Sequence, residues 1–156
     1  MTADEAAARA RDLFLDESHP YGCAETTLMV LKEAFGLPDP TDPSAAMALN
    51  GGVANGGGVC GAITGAALAA GLLAGRRFED HSRAKSAARE AIARVMDDFR
   101  ERYGAVDCRT LVGVEIRTPA QHQAFIDSGT WRQACMSQVE FVVRALASLP
   151  EEEAWA

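Results

Sequence analysis

The chain has 156 residues, about one domain's worth and enough to bury one core but not two independent ones. Hydrophobic residues make up 48% and charged residues 24%, an ordinary globular balance that excludes a disordered chain. The formal net charge of −7 argues against nucleic acid and against an anionic membrane surface as partners.

In chain order, the pattern reads as helix almost throughout. Thr2 or Asp4 caps a first helix through Ala6 to about Leu15, a stretch rich in Ala and Arg. The acidic opening Met1-Thr2-Ala3-Asp4-Glu5 is followed by no apolar run of the secretory kind, so a soluble, cytoplasmic protein is expected. His19-Pro20-Tyr21-Gly22 breaks the helix. A second runs from about Cys23 to Phe35, with Leu28, Leu31 and Phe35 at helical spacing, and stops at Gly36. Pro38, Pro40 and Pro43 keep the next segment extended, and a short helix is expected over Ser44 to Leu49.

Then comes Gly51-Gly52-Val53-Ala54-Asn55-Gly56-Gly57-Gly58-Val59, a run of glycines that a folded chain keeps only where the backbone needs positive φ or close approach. The helix from about Cys60 to Ala74 is apolar all round and carries Gly61, Gly65 and Gly71, which predicts a central, buried position. Its apolar run, Gly61 to Gly75, is too short to insert in a membrane. It also leaves a homodimer open.

A long amphipathic helix over Ser82 to Tyr103 ends at Gly104, and a short one begins near Cys108. Val114-Glu115-Ile116 is strand-like but too isolated to make a sheet. Pro119 opens a helix reaching Ile126, and a last helix spans about Thr130 to Leu149. The expected fold is therefore all-α: one bundle of about six helices over residues 1–150, around the Gly/Ala-rich helix. Residues 151–156 are expected to fray as an acidic tail.

The four cysteines carry the chemistry. Cys23, Cys60 and Cys108 each fall at a predicted helix start shortly after a glycine, and Cys135 follows Gly129 near the first turns of the last helix. Unpaired N–H groups and the positive end of the helix dipole favour an anion there, so a depressed thiol pKa is expected. The N–H groups of Gly57, Gly58 and Gly61 are the expected further donors to sulfur. Spacing excludes several familiar sites. No CxxC occurs, which removes zinc ribbons, thioredoxin motifs and bacterial-ferredoxin clusters, and no CxxCH occurs, which removes covalent haem.

At Cys60-Gly61-Ala62-Ile63-Thr64-Gly65 the chain resembles the redox-active protein family named for a C_GCAxxG_C_C pattern. Gly22-Cys23-Ala24-Glu25 fits the upstream element, Cys108 and Cys135 fit the two downstream cysteines, and the resemblance spans Tyr21 to Leu146. It implies a helical protein with a four-cysteine redox role. A related domain accompanies an iron–sulfur cluster in split-Soret cytochromes, of which only the non-haem part has a counterpart here.

Three readings follow. In the first, Cys23, Cys60, Cys108 and Cys135 hold a [2Fe–2S] cluster and exchange electrons with a donor or acceptor protein; zinc at the same residues is a variant. In the second, the cysteines work as metal-free thiol–disulfide pairs, with Cys23 and Cys60 as the first pair. In the third, a small-molecule- or partner-binding module merely packs its cysteines. His19, four residues before Cys23, is read as a surface histidine, and so are His81 and His122. Glu25 is read as complementing the helix dipole, and Phe125, Trp131 and Phe141 as core or interface.

Overall fold

A computed structural model describes residues 1–156 as seven α-helices without strands. Helix α1 (Ala3–Phe14) opens on a capping box, in which the Thr2 hydroxyl accepts from the Glu5 N–H and the Glu5 carboxylate from the Thr2 N–H. Helices α2 (Cys23–Ala34) and α3 (Gly61–Arg77) have no side-chain cap of their own. Helix α4 (His81–Tyr103) is capped by Asp80, and α5 (Cys108–Val112) by Asp107. Helix α6 (Pro119–Ser128) has Thr118 and Gln121 as a second capping box, and α7 (Ala134–Leu146) follows a single 3₁₀ turn at Thr130–Arg132.

Several segments differ from the sequence expectation. Ser44–Leu49 holds one 3₁₀ turn, at Ser44–Ala46, rather than a helix. Val114–Ile116 is a loop, pinned by the buried Ile116 side chain, and the only β feature is an isolated bridge between Val59 and Asp107. The last six residues do not fray. Two 3₁₀ turns, Leu149–Glu151 and Glu153–Trp155, bury Trp155 edge-on against Phe78, and the Arg77 guanidinium holds the Trp155 carbonyl at 2.7 Å.

The most enclosed helix is α2, buried at every residue from Thr26 to Lys32 between α1, α3 and α7. Helix α3 packs on α2, α4 and α7, while Leu72, expected to be covered, stands exposed beside Gly71 and Gly75. Close approach of α2 and α3 depends on Gly65, where an added Cβ would lie 2.5 Å from the Ala24 carbonyl oxygen. This contact sets the start of α2 against the start of α3. No helix is long and apolar enough to cross a membrane.

Candidate functional site

All four cysteines stand at helix starts. Cys23 and Cys108 are the first residues of α2 and α5, Cys60 immediately precedes α3, and Cys135 is the second residue of α7. The fold brings these starts together. Cys23, Cys108 and Cys135 line one cavity of ≈ 60 Å³. Cys60 lies behind that wall, buried near Cys23, and donates its thiol proton to the Gln138 side-chain oxygen at 3.7 Å. None of the four is disulfide-bonded.

Two backbone clamps hold the arrangement. The Cys60 N–H donates to the Val106 carbonyl at 2.8 Å and the Cys108 N–H to the Gly58 carbonyl at 2.7 Å, which ties the start of α5 to the start of α3. Asn50 does the same for α2: its Oδ1 accepts from the Ala24 N–H at 2.9 Å, and its Nδ2 donates to Glu25 at 2.7 Å. Glu25 also accepts from the Gly22 N–H at 3.0 Å, a helix-start carboxylate as expected.

Between the clamps, residues 51–55 form a left-handed turn, with φ of +68° at Gly51, +74° at Gly52, +66° at Val53, +51° at Ala54 and +57° at Asn55. For Val53, Ala54 and Asn55 this conformation costs about 1–2 kcal/mol per residue, so the surrounding contacts must impose it. Gly57 and Gly58 supply two of them by donating their N–H groups to the carbonyls of Gly51 and Gly52. Those donors therefore brace the loop rather than point at sulfur. Gly61 does face the Cys23 sulfur, and so does the amide of Gly51, which the sequence reading did not name as a donor.

The electrostatics reverse the sequence expectation of depressed thiol pKa values. Burial pushes the Cys23 thiol up, against smaller lowering effects from the amides of Gly51, Ala24, Cys23 and Gly61. Burial raises Cys60 well above the ordinary thiol value, and the neighbouring Cys23, Cys135 and Cys108 add to the effect. Cys108 is pushed up to about 11 by burial and then by the sulfur of Cys23, and Cys135 is raised in the same way. Helix-end amides favour a thiolate only where water still reaches it, and here removal from water is the larger effect. In the side-chain positions observed, no three His, Cys, Asp or Glu groups are placed to hold a metal ion.

Aromatic groups line one side of the cavity. His19 is half-buried rather than a surface group: it stacks on Trp131 at 3.8 Å, with Phe14 edge-on to both rings. Its Nδ1–H donates to the Phe14 carbonyl at 3.1 Å, and loss of water lowers its pKa. His122 is also half-buried and lines the same cavity, whereas His81 is exposed as expected. Phe125 and Trp131 are core residues and Phe141 is half-buried. Asn50 and Gln138 have no place in the sequence expectation, and Gly51 has one only as part of the glycine run, not as a donor to sulfur. Gln138 does leave a trace in the sequence, as a polar residue one helical turn after Cys135 on an otherwise apolar face.

A family model described as "Putative redox-active protein (C_GCAxxG_C_C)" matches residues 21–149. No curated protein and no solved structure matches the chain. The match takes in all four cysteines, the Cys60–Gly65 signature and every helix that brings the sulfurs together. The chain belongs to the C_GCAxxG_C_C family.

Proposed function

We propose that the protein transfers electrons through one centre built from Cys23, Cys60, Cys108 and Cys135, and that these residues hold an iron–sulfur cluster of the [2Fe–2S] type. The observation that carries this reading is the gathering of four helix-start cysteines, three of them lining one small cavity and Cys60 buried next to them. A water needs roughly 10–15 Å³ on the same measure, so ≈ 60 Å³ gives room for about four to six water-sized groups.

The donor set fits such a group in kind and number. Four buried or half-buried thiols that repel one another as anions are a poor set of free thiolates, and a cationic core relieves that repulsion. Closing the coordination requires the cysteine side chains to move, because no three ligating groups stand at metal-binding positions in the conformation described. When bound, the cluster supplies a one-electron couple. The protein's own part is to hold the sulfurs, to aim the Gly51 and Gly61 amides at Cys23, and to keep water away with Phe14, His19 and Trp131.

A metal-free thiol–disulfide couple is the second reading, and the absence of a ready metal-binding geometry favours it. Raised thiol pKa values weigh against it, since the attacking species is the thiolate. Anaerobic purification with iron and acid-labile sulfide analysis tests the choice. About two iron and two sulfide per chain, with visible absorbance lost in each Cys→Ser variant, is the expected result. Iron below about a tenth of that amount, with thiols that disappear reversibly on mild oxidation, replaces the cluster by the dithiol couple. Stoichiometric zinc without colour replaces both by a structural site.

A further inference from the structure

A second cavity, of ≈ 140 Å³, lies on the other side of Cys108 and is lined by a different chemistry. It shares Asn55, Cys108 and Ile116 with the cysteine cavity, so these residues form the partition between the two. Its outer wall carries Arg109 and Arg117. Neither guanidinium has an ion-pair partner, although the protein as a whole carries a net charge of −7. The nearby Asp107 carboxylate, outside the lining, caps the Thr110 N–H. Its pKa is lowered first by the hydrogen bonds from Thr110 and then by the Arg109 guanidinium, which is close by but makes no direct ion pair with it. Glu115 is the one acidic side chain in the lining and pairs with neither arginine. The lining therefore carries one net positive charge.

We propose that this cavity binds a small monocarboxylate against Arg109 and Arg117, one wall away from the Cys23–Cys108–Cys135 cavity. Planar guanidinium groups match a carboxylate in shape and charge. Two such groups opposed by a single carboxylate suit a monoanion better than a dianion. The concave shape and the overall negative charge of the protein favour a free small molecule over an acidic protein surface. The proposal concerns binding and does not depend on what the four sulfurs hold.

The test is a ¹⁵N-edited NMR titration of the full chain with sodium acetate and sodium propionate, at ionic strength held constant with chloride. The expected result is saturable shifts in the amides of Gly56, Gly57 and Arg109. Arg109→Gln and Arg117→Gln should each weaken binding by about tenfold or more, while Glu115→Gln should tighten it several-fold. All three side chains are exposed, so the variants should keep the parent circular dichroism. Non-saturating shifts, equal shifts with chloride alone, affinity unchanged in both arginine variants, or binding of phosphate in preference to carboxylate would each overturn the proposal.

Discussion

Gly61 packs directly on the sulfur of Cys23. A methyl group in its place would overlap that sulfur and stand 3.0 Å from the Ala24 nitrogen. The glycine that follows Cys60 in the signature is thus a requirement for Cys23, on another helix.

Gly61→Ala is expected to destabilise the fold by about 1–3 kcal/mol through overpacking, and to displace Cys23. Gly65→Ala meets the unyielding Ala24 backbone and should cost at least as much. Gly71→Ala has open space within 4 Å and is expected to stabilise by about 0.5–1 kcal/mol, since the helix interior gains a better former. Urea midpoints of the three variants order these effects, and a Gly61→Ala protein as stable as the parent would refute the packing argument.

The raised thiol pKa values set an alkaline limit on the metal-free fold. A thiol held protonated in the folded chain but free to ionise at 9.0 when unfolded stabilises fully below pH 9, and this contribution is lost as pH rises. With Cys108 at about 11, stability should fall between pH 9 and 11. Iodoacetamide labelling of Cys108 should accelerate about tenfold per pH unit across that window, following the thiolate fraction. A labelling rate already on its plateau at pH 9 would contradict the buried environment.

Asn50 holds the start of α2 with both ends of its amide. Asn50→Ala should cost about 1–2 kcal/mol, as loss of a helix cap does, and should make Cys23 label faster in the folded protein. Asn50→Asp keeps the acceptor for Ala24 but sets a carboxylate against Glu25, 2.7 Å from the present Nδ2. Its deficit should therefore shrink as pH falls and one carboxyl takes up a proton. A deficit independent of pH would remove this account of the pairing.

Trp155, the penultimate residue, is buried against Phe78. Trp155→Ala should cost toward the low end of the 3–5 kcal/mol typical of core aromatics, roughly 3 kcal/mol, because the chain terminus can relax. Removing residues 151–156 should cost a similar amount, since it also takes the Trp155 carbonyl from Arg77, which keeps only that of Pro150, and Glu152 from Arg94. Calorimetric melting checks both, and a melt unchanged by truncation would mean that the tail contributes nothing.

Helix positions were legible because capping and stopping are local matters. Thr2 with Glu5, Thr118 with Gln121, and the left-handed Gly104 and Gly129 each act within four residues of their place in the chain. Failures had one common cause. Trp155, His19 and Ile116 were read as tail, surface and strand because the groups that cover them are distant in sequence. The glycine loop was recognised as exceptional, yet the use of its N–H groups depended on loop closure, which turned Gly57 and Gly58 inward and left Gly51 facing Cys23.

The sequence alone determined an all-helical chain with a cysteine at each of four helix starts, because helix boundaries are written in neighbouring residues. Only the tertiary structure decided that the four sulfurs meet, that Cys60 lies behind the other three, and that their protons are held more tightly rather than less. Burial and the mutual repulsion of sulfur anions depend on what lies near in space, and the order of residues along the chain does not record it.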